Sequence, residues 1–497
     1  MTTLAFASGW RIYAWLAGGI VTELFAINSE WSIPIAGWLF SIALMRFTRS
    51  VGALTGFACV GLLSTIATIV LVGVADGLAV GAILLGCLVL SLILSIPLLV
   101  DRLLFQRLAP LPATLVFPAA RVAVEFLVAE ISPFGTIFGP LAATQSGNLP
   151  LLQVVSVTGI YGISFLMAWV APVVNAALER RGHWPSIRTL TLAYVSVLGL
   201  VLFGGGLRLT MAPTAPSLVR VAGVSASRAA EQRMREIDNF HTPAVLPEQK
   251  PVLRTAFAVL NDDLFVRTRT EADGGARIVA WPEAAAVVLD EDLDGFLRQA
   301  RDLAVDKAIY LDMGIAVILD GLPHSRDIAV LVAPDGQVVS TFDKAHPAPG
   351  MESLRPGDGI VPVSATPYGR IANAICFDAD FPPTMSTRAD IMFVPANDWK
   401  GIERMHAANA VFRAVENGYN LVRQTSNGIA ITVDAYGASL ARTNYFSTTQ
   451  QTMVVSVPTR GTWTVYGSIG DLFAWLCVAG VAGSAAVTGF RRIGRGS

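Results

Sequence analysis

The chain has 497 residues, more than one ordinary hydrophobic core accommodates, and only 15% of them are charged while 53% are hydrophobic. A soluble domain carries about 25% charged residues, so the shortage excludes an ordinary soluble chain. A net charge of −1 without basic runs gives no sign of a nucleic-acid-binding surface.

The shortage is uneven. Residues 1–215 hold long apolar runs and read as a membrane domain of about seven helices. Residues 217–460 carry charges throughout and read as a folded globular domain. Residues 465–497 read as one closing membrane helix with a basic tail.

Runs of about 20 apolar residues suffice to cross a bilayer as helices. Spans are expected near 8–26, 31–46, 51–74, 78–100, 110–130, 150–177, 187–207 and 467–490. The first contains Arg11 and Glu23, and the second is short. Arg11 is the first basic residue and the apolar stretch outruns a typical signal-peptide core, so the N-terminus reads as a span rather than a cleaved signal.

Basic residues follow span two (Arg46, Arg49), span four (Arg102, Arg107) and span six (Arg180, Arg181, Arg188), and return in the tail (Arg491, Arg492, Arg495). The loops after spans one, three and five hold no Lys or Arg. The positive-inside rule then places both termini in the cytoplasm and the globular domain on the opposite side, the periplasm of a bacterium with two membranes. Within the spans, Arg121 and Glu125 lie four apart and are read as an ion pair facing the bundle interior. Glu23 is read either as part of a lipid-headgroup pocket or as an interfacial residue.

Cys59, Cys87 and Cys477 sit in apolar runs, where a thiol behaves as a small hydrophobe. Cys376 is the only cysteine of the charged region, which therefore folds without an internal disulfide.

From residue 217, β-type runs alternate with helical stretches. Strands are expected at 219–224, 277–281, 310–318, 327–333, 371–376, 391–395, 419–424 and 429–434, and helices at 251–264, 293–306 and 405–416. The alternation argues for an α/β domain. The Ala333–Pro334–Asp335–Gly336–Gln337 turn has hairpin chemistry and makes a mixed sandwich the expected form.

Three short segments present reactive groups where strands end: Trp281–Pro282–Glu283, Phe342–Asp343–Lys344 and Ile375–Cys376–Phe377–Asp378. Taken singly, such a glutamate is more often a turn residue, such a lysine a solvated surface charge, and such a cysteine packing. It is the ordered set in these neighbourhoods that points to covalent chemistry. With Asn397–Asp398–Trp399 and Arg413–Ala414–Val415–Glu416–Asn417, the three segments resemble the carbon–nitrogen hydrolase (nitrilase) superfamily. Segments 423–429, 145–153 and 158–162, together with the order of spans, domain and closing span, are similar to the apolipoprotein N-acyltransferase family over nearly the whole chain.

That resemblance implies a multi-span α-helical membrane bundle plus an α/β nitrilase-like αββα sandwich domain. Cys376 would be the nucleophile, Glu283 the general base and acid, and Lys344 the neighbouring cation that favours a thiolate. Lys344 and the backbone N–H of Phe377 would face an oxyanion, with Glu352 and Asp378 in support. A phospholipid would donate an acyl chain to the cysteine, and the N-terminal amine of a lipoprotein would accept it. No cofactor is implied, and the five scattered histidines show no zinc-ligand spacing. Two departures stand out: the loop Ala345–Met351 lacks the family's apolar text, and Asp378 stands where glutamate is common. His346 reads as a loop surface residue rather than a new acid–base group. Two other readings stay open. One is a nitrilase-type amidase or acyltransferase with another acceptor, as in conjugal-transfer systems; the other is a non-catalytic membrane scaffold.

Overall fold

The computed structural model describes residues 9–27, 32–72, 80–213, 217–237, 245–449 and 452–493. Positions 8, 31, 73, 74, 78 and 79 of the expected spans and Arg495 of the basic tail fall outside the described residues. The chain forms two compact units, Met1–Met211 with Ser468–Ser497, and Ala212–Gly467.

In the first unit the apolar runs become the helices Gly9–Ile27, Ala36–Ser50, Ala53–Val72, Val80–Leu104, Pro110–Ile131, Tyr161–Glu179, Trp184–Thr210 and Leu472–Ile493. Five of these, those starting at Ala53, Val80, Pro110, Tyr161 and Trp184, are long and apolar enough to cross a membrane. The helices Gly9–Ile27, Ala36–Ser50 and Leu472–Ile493 do not meet that measure, and the second has only 15 residues. Leu54, Leu62, Leu200 and Phe203 stand exposed on the outer faces, as a lipid solvent allows.

The run expected to span 150–177 is broken. Residues Leu149–Leu152 and Val155–Thr158 make two single turns, and Gly159 takes φ 66° before the helix restarts at Tyr161. That conformation interrupts the i→i−4 ladder and suits glycine alone.

Two ion pairs lie inside this unit. Arg49 donates to both oxygens of Asp101 at 2.8 and 2.9 Å. Arg121 donates to Glu125 at 2.6 Å, and the same carboxylate oxygen accepts from the Leu141 N–H. The Glu23 carboxylate accepts from Ser64 Oγ at 2.6 Å beside a cavity also lined by Ser41, Thr68 and Ser91.

The second unit is a four-layer αββα sandwich. Its strands are β1 (Leu218–Val224), β2 (Ile278–Ala280), β3 (Ala286–Leu289), β4 (Tyr310–Ile318), β5 (Ser325–Val332), β6 (Val338–Asp343), β7 (Val363–Thr366), β8 (Gly369–Asn373), β9 (Ile391–Phe393), β10 (Asn420–Arg423), β11 (Ile429–Val433), β12 (Ser439–Asn444) and β13 (Thr452–Pro458). One sheet runs β13-β1-β2-β4-β5-β6, with β3 beside the far half of β4. The other runs β12-β11-β10-β9-β8-β7. In each sheet the central strands are parallel (β1, β2, β4; β8, β9, β10) and antiparallel strands flank them.

The sheets pack through Val221, Ile278, Tyr310 and Leu331 on one side and Ile371, Ile391, Phe393 and Val422 on the other. Helices Lys250–Asp273 and Leu293–Lys307 cover the first sheet with Leu264, Phe265, Phe296 and Leu303. Helix Glu403–Asn417 covers the second. Burial on both faces is why the central strands read as continuous apolar runs.

The Ala333–Gln337 turn closes the β5–β6 hairpin, with the Ala333 N–H donating to the Gln337 carbonyl at 2.8 Å. Strands β3, β7, β12 and β13 and the helix Arg228–Ile237 had not been anticipated. Because β13 lies antiparallel on β1, with Leu218 opposite Pro458, this unit is entered and left at one sheet edge. That suits a domain inserted between two spans.

Candidate active site

Trp281 is fully buried; its indole N–H donates to Thr268 Oγ1 at 2.9 Å and its ring meets Phe265 edge-on at 5.3 Å. Pro282 follows against β4, where a Cβ on Gly314 would lie 2.0 Å from the Pro282 carbonyl oxygen. Only glycine permits that approach. Glu283 is thereby aimed inward and is 4% exposed, and Ala284 after it takes φ 48°.

Lys344 follows β6 at 1% exposure, its N–H donating to the Asp327 carbonyl at 2.9 Å. Its ammonium donates to Glu283 Oε1 at 2.6 Å and to Glu352 Oε1 at 2.7 Å. The second oxygen of Glu352 accepts from the Ala348 N–H at 2.7 Å.

Cys376 is expected as the last residue of a strand 371–376. In the structure β8 stops at Asn373, and Cys376 opens a short 3-10 turn, Cys376–Asp380. Its N–H donates to the Pro395 carbonyl at 2.8 Å and its φ is 46°. Of the four described non-glycine residues with positive φ, one is Cys376 and another adjoins Glu283. Such strain costs about 1–3 kcal/mol and gathers where a group must be presented in a fixed direction.

Phe377 packs edge-on against Phe381 at 5.3 Å. Asp378 does not reach the lysine; it ties two loops together. Its carboxylate accepts from the Ile375 N–H at 3.2 Å and from the His346 N–H at 2.9 Å, and it lies 2.8 Å from His346 Nδ1. His346 is therefore not a free surface residue, since its ring also stacks on Phe381 at 3.6 Å and 6°.

The electrostatics separate the three central groups. Burial, then the Glu283 carboxylate, push the Cys376 thiol well above its ordinary range, and Lys344 opposes them without prevailing. The resting group is thus a thiol, not the thiolate expected from the ammonium alone. Burial also raises Glu283, against the pull of Lys344. For Lys344 burial works against the charge, but Glu283 leads the surrounding negative groups that hold it well above its usual value. A neutral thiol beside a carboxylate of raised basicity is an arrangement for general-base attack.

A second buried network underlies Cys376. Asp398 accepts from Arg423 Nη1 and Nη2 at 3.0 and 2.6 Å and lies 3.0 Å from His406 Nδ1. Donor atoms of Cys376, Asp398 and His406 all fall within 4.8 Å of one another. The donor types would suit a metal, but both Asp398 oxygens are committed to Arg423, whose permanent charge would face the ion. The set does not fit a resident metal.

Glu283, Lys344 and Glu352 are thus brought into direct contact, with Cys376 under the field of the first two. Sequence reasoning did not single out Asp327, Asp398, His406 or Arg423 as site residues. Asp398 and Arg423 lay inside segments noted for their resemblance, which is the signal that would have found them. Asp327 carried none.

Residues 252–461 match the carbon–nitrogen hydrolase family, and residues 2–173 match the apolipoprotein N-acyltransferase N-terminal domain. The fold and site thus define a nitrilase-type α/β domain carried by a helical membrane unit. Among curated relatives, the chain is 28% identical to an apolipoprotein N-acyltransferase of Geobacter metallireducens over 412 residues, covering 76% of this chain and 74% of the relative. It is 25% identical to that of Bradyrhizobium diazoefficiens over 377 residues, covering 67% and 66%. Along most of its length the chain is similar to apolipoprotein N-acyltransferases.

Solved structures similar to it include an amidase from Nesterenkonia sp. (18% identity, 50% of this chain and 94% of that one, TM-score 0.35) and a carbon–nitrogen hydrolase from Helicobacter pylori (14%, 50% and 91%, TM-score 0.37). The fold assignment rests on the sheet order and the family matches rather than on these.

Proposed function

We propose that this protein transfers a fatty acyl chain from a phospholipid to the N-terminal amine of a lipoprotein through a thioester on Cys376. Glu283 takes the thiol proton as sulfur attacks the ester carbonyl and returns it to the departing alkoxide. Lys344 and the Phe377 N–H stabilise the tetrahedral oxyanion, and Glu352 holds the Lys344 ammonium in place. The acceptor amine then attacks the thioester, with Glu283 serving again as base. Two substrates use one nucleophile in turn, which gives ping-pong kinetics.

The observation that carries this reading is the buried Glu283–Lys344 pair together with a buried Cys376 held at positive φ, in a chain whose membrane half matches the acyltransferase family as well. A domain acting on two membrane-embedded substrates has reason to be tethered to spans; an amidase of soluble substrates has none. The loop charges favour an extracytoplasmic domain with cytoplasmic termini, in a bacterial inner membrane.

The test is incubation of the purified protein with acyl-labelled phospholipid. A hydroxylamine-sensitive label on Cys376, absent from Cys376→Ala and discharged by a diacylated lipopeptide, is expected. Equal labelling of Cys376→Ala would sink the thioester. Release as free fatty acid, with none passing to the lipopeptide, would favour hydrolysis.

A further inference from the structure

We propose that Asp327 is a positioning residue that holds a proton against the Glu283 carboxylate and, through that hydrogen bond, aims the base and sets the alkaline limit of the reaction. This rests on the reading of Glu283 as general base.

The register places Asp327 there. In the β5–β6 ladder Ile328 faces Asp343, and the next pair brings Asp327 opposite Lys344, whose N–H donates to the Asp327 carbonyl at 2.9 Å. Directly paired residues project to the same face of a sheet, so the Asp327 carboxyl lies beside the lysine that holds Glu283. On the other side β4 offers only Ala316. Asp327 is 4% exposed. The charged groups facing it are Glu283 from the loop after β2, Lys344 after β6, and Glu352 from the following loop. Its chain neighbour Arg326 points to the opposite face and pairs with Asp343 at 2.9 and 3.1 Å.

Three carboxyl groups therefore surround one ammonium. Lys344 Nζ donates to Glu283 and Glu352, and no hydrogen bond from it reaches the Asp327 carboxyl. Two carboxyls crowded at one buried site do not both ionise. The proton belongs on the one without the lysine bond, which is Asp327. Burial and the Glu283 charge push its acidity far up, in agreement with that placement. One of its carboxyl oxygens, Oδ1, is buried with no partner, and Glu283 is the carboxylate whose charge bears on it most. During catalysis the Cys376 proton passes to Glu283 and on to the leaving group, and Asp327 keeps its own throughout. Raising the pH removes that proton, adds a second buried negative charge, and releases Glu283.

The test compares Asp327→Asn and Asp327→Ala in the full-length protein, with the rate of Cys376 acylation by labelled phospholipid followed against pH. Asparagine retains a donor but cannot titrate, so its alkaline decline should be displaced upward or absent. Alanine loses the donor and should slow acylation roughly 10- to 100-fold at neutral pH, and by more than asparagine does. An unchanged alkaline limb in Asp327→Asn would overturn the proposal. Infrared spectroscopy gives an independent reading: wild type at neutral pH should show a protonated-carboxyl component that both variants lack, and its persistence in either refutes the idea. If wild type forms no acyl-enzyme at all, the acyltransfer reading fails while the infrared result still decides the proton's place.

Discussion

Asp398 and Arg423 are both fully buried, and two hydrogen bonds of 3.0 and 2.6 Å join them beneath Cys376. Asp398→Asn would leave the guanidinium buried opposite a neutral amide. Breaking a buried pair from one side costs about 3–5 kcal/mol, which for a domain of this size corresponds to roughly 6–20 °C in Tm. The full-length protein in detergent, melted under near-UV circular dichroism with buried Trp281 as reporter, gives the measurement. Burial alone would raise the Asp398 pKa, but Arg423 and His406 overcome it and hold it below the ordinary carboxylate value. A depressed pKa contributes stability above the unfolded value of about 3.9 and loses it as pH falls further, so the gap between wild type and Asp398→Asn should close in acid. The double variant Asp398→Leu with Arg423→Met should lose less than its two single variants together, because no orphan charge remains. A melting point for Asp398→Asn within about 2 °C of wild type, or strict additivity in the cycle, would refute this account of the network.

Three further outcomes are expected. Glu283→Gln should slow Cys376 acylation about 10²–10⁴-fold; because the thiol pKa is raised, the residual rate should keep rising with pH where wild type has levelled off, as a pH–rate profile will show. Gly314→Ala places a methyl 2.0 Å from the Pro282 carbonyl and 2.9 Å from Glu283 Cα, so it should cut acylation without touching a reacting atom, while circular dichroism reports an intact sandwich. Asp378→Asn should weaken both loops and cost about 1–3 kcal/mol through poorly satisfied N–H groups at Ile375 and His346; His346→Ala, which spares the backbone donors, should cost less, and equal losses in thermal melts would contradict that ranking.

How far the sequence could be read follows from what each signal depends on. The apolar runs and the parallel central strands were legible because burial on every side leaves a composition no neighbour can disguise. Edge strands such as β7 and β12 are half exposed and short, with mixed composition, and were missed. The break at Gly159 hid inside an apolar stretch because hydropathy does not report φ. Glu283, Lys344 and Cys376 could be picked out by their neighbourhoods, yet the state of the thiol could not. It depends on how completely Cys376 is buried and on which charge, Glu283 or Lys344, acts on it more strongly. Asp327 was invisible for a related reason: its partner is set by strand register, 17 residues away from Lys344 in the chain.

The two departures from the family pattern looked independent in the sequence, and the fold joins them. His346 belongs to the altered loop after Lys344, and Asp378 is the shortened acid after Cys376; main-chain and side-chain nitrogens of His346 converge on one Asp378 oxygen at 2.9 and 2.8 Å. An aspartate reaches one methylene less far than a glutamate, so a loop that comes to it is needed to keep it bonded. The imidazole, stacked on Phe381 at 3.6 Å, supplies that approach. The apolar loop has thus been exchanged for a polar stitch between the lysine-bearing and cysteine-bearing segments, with Glu352 still fixed through the Ala348 N–H. The Glu283–Lys344 contact lies inside this stitch and is untouched by it. Divergence at the loop therefore leaves Glu283, Lys344 and Cys376 where the fold puts them.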